Sequence, residues 1–107
     1  MNKLKWNKDF ALEQAADDMD LLEELLAIFK ESSANDFRTI EKGVSAQDPQ
    51  RVYAAAHSIK GAAASLGIIG IRDIALAIEV DSKNGSLATA RARLSELEEL
   101  LQYLQQL

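Results

Sequence analysis

Cysteine is absent from this chain, so it holds no disulfide framework, no thiolate nucleophile and no cysteine-based zinc site. Histidine occurs once, at His57, and one histidine without cysteines is a poor basis for a transition-metal centre. No apolar run approaches the roughly 18 residues that signal a membrane span. Met1 to Lys8 also lack the apolar core of a signal peptide, so the expected compartment is the cytoplasm. Lysine and arginine number 12 against 17 aspartates and glutamates, a net charge of −5 that argues against a nucleic-acid partner. Proline occurs once, glycine five times, and alternating β-branched stretches are missing, which leaves an all-helical protein. A glycine-rich phosphate loop is missing too, so the chain is not expected to use ATP itself. Ser58 and Ser65 have no second histidine to serve as a base for nucleophilic catalysis.

What remains is 107 residues, 48% apolar and 27% charged, enough for one modest core. The expected organisation is a single domain over 1–107, with an N-terminal capping helix in 1–16 and a four-helix bundle in 17–107. Asn7 to Ala16 reads as a short first helix anchored by Trp6, Phe10 and Leu12. Trp6 is taken as a packing anchor rather than a ligand-stacking ring. Asp17 or Asp18 starts the second helix, which runs to about Gly43 or Val44. Leu22, Leu26, Phe29, Ser33, Phe37, Ile40 and Val44 recur along it at spacings of three and four. Leu21, Leu25 and Ile28 widen that stripe near its start, where the first helix is expected to cover them. Glu31 to Asp36 is weakly helical and allows a bend. The acidic cluster from Asp17 to Glu24 is read as a solvated face at a helix N-terminus, not a metal site.

The fourth helix is expected from about Ile71 to Lys83 after a loop at 68–70, with Ile71, Ile74, Ala75 and Ile78 inward. Asn84-Gly85 stops it and Ser86 caps the last helix. There Leu87, Ala90, Leu94, Leu97, Leu101 and Leu104 repeat every three or four residues. Under three heptads, this repeat closes an intramolecular bundle more readily than a coiled-coil dimer, so a monomer is expected. Short connections make sequential helices antiparallel. The expected architecture is therefore an up-down four-helix bundle with an additional N-terminal helix.

The third helix organises the rest. Asp48 is a good N-cap, Pro49 suits the first helical position, and Gly67 suits a left-handed stop. Between them lie six alanines, the strongest of helix formers. At roughly 100° per residue, Val52, Ala56, Ile59, Ala63 and Leu66 share one narrow apolar stripe. His57 lies about 140° from its centre, Lys60 about 80°, Ala64 about 120° and Gly61 about 180°. The histidine points outward among small residues. Gly61 there costs about 1 kcal/mol against alanine, which implies a use for the vacant space.

His57-Ser58-Ile59-Lys60-Gly61, followed by Leu66-Gly67, resembles the signature H-x-[LI]-K-G-x-x-x-x-[LIFV]-G of histidine-containing phosphotransfer (HPt) domains of phosphorelays. Leu22-Glu23-Glu24-Leu25-Leu26-Ala27-Ile28-Phe29 is similar to that family's L-x-x-L-L-x-x-F helix, and Ile78-Glu79 to its Leu-Glu pair. The resemblance implies that His57 accepts a phosphoryl group from an aspartyl-phosphate on a receiver domain and passes it to another. A neutral imidazole suits this, since the group ordinarily titrates at about 6.5. The resemblance further implies Lys60 as a neutralising charge, Gly61 as space for phosphoryl oxygens and partner, and Glu79 as an orienter of the imidazole. Tyr53, Ala54 and Ala64 are the expected docking patch. The chain is expected to bind no cofactor; Mg²⁺ belongs to the receiver partner. Implied partners are receiver domains and a histidine kinase, with no independent turnover. Such a chain is free-standing or part of a hybrid kinase. Two other readings stand beside it: a chemotaxis-type domain phosphorylated by a separate ATP-binding domain, and a helical adaptor in which His57 does no chemistry.

Overall fold

Asn7 opens the first helix, α1 (Lys8–Gln14), by accepting at its side chain from the Phe10 amide at 3.0 Å. In the computed structural model, which describes residues 3–107, α1 is shorter than the expected 7–16. Ala16 and Asp17 stop it by taking left-handed conformations, φ 54° and 60°. Met1 and Asn2, the start of the expected 1–16 capping segment, lie outside the described residues. The anchors differ from expectation as well. Trp6, Phe10 and Leu12 are only half-buried, whereas Leu4, Ala11 and Ala15 are buried. A seven-residue helix lying on the end of the bundle makes its closest approach through alanines and spreads its larger side chains over the rim. The Trp6 indole nitrogen donates to the Leu66 carbonyl at 2.9 Å, so the ring joins α1 to the end of the third helix.

Asp18 caps α2 (Met19–Ser45) by accepting from the amides of Asp20 and Leu21. The helix runs unbroken through 31–36, the weakly helical stretch that allowed a bend. Ser33 is fully buried, and its hydroxyl donates to the Lys30 carbonyl at 3.3 Å, so the polar group is satisfied without breaking the ladder. The predicted stripe is buried from Leu22 to Ile40, but Gly43 rather than Val44 completes it. A Cβ at Gly43 would stand 2.7 Å from a Val52 methyl, so α2 and the third helix cross closely there. Leu21 and Ile28 remain exposed, Ile28 by 64%, and α1 does not cover them.

α3 (Pro49–Ser65) follows its predicted ends. Asp48 accepts from the Arg51 amide, and Gly67 takes φ +68°. Ile68 donates to Ala63 at 2.9 Å and Gly67 to Ala64 at 3.2 Å, the pair of bonds that closes a Schellman motif. The apolar stripe of Val52, Ala56, Ile59, Ala63 and Leu66 is buried, joined by Ala55. α4 (Ile69–Lys83) begins two residues before the expected Ile71, so only Leu66, Gly67 and Ile68 connect the two helices. The N-terminal segment makes this possible: Leu4 accepts from the Gly70 amide at 2.8 Å, satisfying a donor of the first turn. α5 (Ala88–Gln105) starts where Ser86 accepts from the Ala88 amide at 3.1 Å and Asp81 of α4 accepts from the Thr89 amide at 2.9 Å. Leu94 is half-buried, and Leu100 takes a core place the repeat did not assign to it.

Each of α2 to α5 packs on its neighbour in sequence, and α5 returns to α2, closing an all-α bundle of about 42 × 25 × 20 Å. Among the described residues no helix is long and apolar enough to cross a membrane.

Candidate functional site

Near the middle of α3, on its outward side, the His57 side chain is 59% exposed. The apolar face of α4 continues round that helix to Glu79, which is only 6% exposed. A carboxylate buried this far requires partners. It has two, both from α3. Oε2 accepts a hydrogen bond from His57 Nδ1, and Oε1 meets Lys60 Nζ at 2.9 Å. Among the described residues no buried side-chain nitrogen or oxygen lacks a hydrogen-bond partner.

Burial pushes the Glu79 carboxyl up, but hydrogen bonds from Lys60 and His57, together with their charges, outweigh it and hold the group below its ordinary value. An ionised carboxylate has no proton to give. Nδ1 is therefore the donor, and in the neutral imidazole this leaves the lone pair on Nε2. Nε2 makes no hydrogen bond among the described residues. The geometry presents a nucleophilic nitrogen to solvent and fixes its proton on the opposite side of the ring.

Tyr53 lies one turn before His57, half-buried, with ring centroids 6.0 Å apart and planes inclined by 24°. Gly61 lies one turn after it, and a Cβ built there would meet nothing within 4 Å. Ala54 and Ala64 are exposed on the same outward surface. The structure thus brings Tyr53, His57, Lys60 and Glu79 into one cluster, with Gly61, Ala54 and Ala64 as low ground around it.

Two apolar features beside this cluster were not assigned from the sequence. A groove of about 300 Å³ runs between α2 and α3, lined by Leu25, Ile28, Ala62 and Ser65. Leu76 and Val80 of α4 are exposed by 42% and 53%, on either side of Glu79 in sequence. The signal for the groove was the second stripe Leu21-Leu25-Ile28, which had been allotted to contact with α1. Among the described residues no three His, Cys, Asp or Glu side chains are placed to hold a metal ion.

A family model described as the Hpt domain matches residues 24–107, most of α2 and all of α3 to α5. The fold is similar to the crystal structure of histidine-containing phosphotransfer protein B from Pseudomonas aeruginosa PAO1. The TM-score is 0.85 at 21% identity, covering 94% of this chain and 87% of that one. No curated protein matches the chain.

Proposed function

This chain belongs to the Hpt domain family, phosphotransfer carriers of two-component relays, and from that premise we propose that His57 is the phosphoryl acceptor. The observation that carries the proposal is the Glu79–His57 hydrogen bond, which engages Nδ1 and leaves Nε2 of an exposed side chain for the incoming group, with the Lys60 ammonium on the other oxygen of the same carboxylate. In the proposed step Nε2 attacks the phosphorus of a receiver's aspartyl-phosphate. The P–O bond to the aspartyl oxygen breaks, and the carboxylate leaves with that electron pair. Nδ1 keeps its proton, so the ring becomes positively charged, and the ionised Glu79 faces that charge. The reverse step delivers the group to a second receiver.

Lys60 meets the phosphoryl oxygens as a point charge, shared with Glu79 at rest. Gly61 leaves their approach open. Tyr53, Ala54 and Ala64 form the docking surface, which the groove at Ile28 extends. The receiver supplies its own Mg²⁺, and the domain works as a monomer in the cytoplasm, cycling only through its partners.

The test is incubation with phosphorylated receiver domains and with histidine kinases, read by intact mass. One added phosphoryl group, acid-labile, alkali-stable and lost in His57→Gln, is expected. Because the His57 side chain is exposed and a glutamine amide can still donate to Glu79, His57→Gln should melt close to wild type. An adduct that persists in that variant would place the chemistry elsewhere. Absence of any adduct, with receiver binding retained, would support the adaptor.

A further inference from the structure

An exposed imidazole tethered at one ring atom is not yet a positioned nucleophile. Glu79 fixes Nδ1, but one hydrogen bond leaves the ring plane free to tilt about that contact. Core packing does not hold the plane either, since most of the side chain faces solvent. A second ordered group against it is the ring of Tyr53, four residues earlier on the same helical face. Its 6.0 Å centroid separation and 24° inclination fall within the offset, near-parallel arrangements that attract aromatic pairs. Tyr53 is itself half-buried, so it is more firmly seated than the histidine it faces.

We infer that Tyr53 is a positioning residue: its ring sets the plane of the His57 imidazole and stabilises the charged ring formed on phosphorylation. The inference rests on His57 being the acceptor. Phosphorylation at Nε2 with Nδ1–H retained puts a positive charge on the imidazole, and the electron-rich face of a phenol ring attracts a cation within about 6 Å. Glu79 and Tyr53 then act from two directions. The carboxylate opposes the charge in the plane of the ring, and the phenol ring does so across its face. The Tyr53 hydroxyl makes no hydrogen bond among the described residues, so the ring rather than the hydroxyl carries the effect.

Tyr53→Phe keeps the ring and Tyr53→Leu removes it, and two readouts separate positioning from docking. In the unphosphorylated protein, ¹⁵N spectra of the imidazole report the tautomer and its averaging. Wild type and Tyr53→Phe should show one dominant Nδ1–H form, and Tyr53→Leu a mixed or broadened one. At saturating phosphorylated receiver, transfer to Tyr53→Leu should be about three- to tenfold slower, with Tyr53→Phe within about twofold of wild type. Receiver Kd, measured alongside, rises to the extent that Tyr53 also serves in docking, but the slower transfer should persist at saturation. A Tyr53→Leu protein with the wild-type ring spectrum and rate would overturn the inference. So would an effect confined to Kd, which would make Tyr53 a docking residue only, or a Tyr53→Phe as impaired as Tyr53→Leu. If wild type accepts no phosphoryl group the acceptor reading falls, while the ring spectra still decide whether Tyr53 orients the imidazole.

Discussion

Glu79 carries a carboxylate into a nearly buried place on α4, where only its two partners on α3 keep it ionised. Its folded pKa is lowered, so the unfolded state binds its proton more readily than the folded one. The stability it contributes is complete above the ordinary carboxyl value of 4.5 and is lost as pH falls through the lower folded value. Urea unfolding of wild type and Glu79→Gln from about pH 6 to about pH 3 should show the two stabilities converging toward acid. A gap that stays constant would mean that Glu79 is held by packing alone. The residue type and its helix were legible in the sequence. That both of its oxygens are occupied, one by Lys60, was not, because partners on a neighbouring helix depend on how two helices rotate against each other.

At the scale of the element, α3 shows how differently one residue type can be used. Gly61 faces open space in a helix interior, with room for a methyl group. At Gly67 the backbone is left-handed, and a Cβ would stand 2.8 Å from the Asn7 carbonyl oxygen. Gly61→Ala should therefore raise stability by about 1 kcal/mol. Gly67→Ala should lower it by at least about 1–2 kcal/mol for the backbone conformation alone. Thermal unfolding of the pair measures both, and a destabilised Gly61→Ala would mean that an unseen close contact needs the glycine. Under the proposed role, Gly61→Ala gains stability while slowing transfer or docking. A glycine does allow a close helix crossing in this fold, but at Gly43 against Val52 rather than at Gly61. Caps and stops were readable from local chemistry at Asp18, Asp48 and Gly67. The start of α4 was not, since the carbonyl of Leu4, distant in sequence, helps to set it.

For the whole molecule, the short α1 matters most by what it leaves uncovered. It lies across the end of the bundle through Leu4, Ala11 and Ala15, and Ile28 is left 64% exposed beside the α2–α3 groove. Replacing an exposed apolar residue on a helix surface changes stability little, within about 0.5 kcal/mol. Ile28→Lys should thus melt like wild type while weakening receiver binding by roughly tenfold, the loss of about 1.4 kcal/mol of apolar contact. Titration calorimetry with a receiver would decide this, and an unchanged Kd would remove the groove from the docking surface.

The order of the helices, most of the inward positions of α2 to α5 and the candidate residues on α3 came from the sequence alone, because each depends on spacing along one helix and on caps a few residues apart. The joining of Glu79 to His57 and Lys60, the stacking of Tyr53 on the imidazole, the close crossing at Gly43 and the exposure of Ile28 were decided by the tertiary structure. Each of these depends on a side chain's rotamer or on the depth and rotation at which one helix meets another. Hydrophobic periodicity says which face turns inward; packing volume decides how close the faces come.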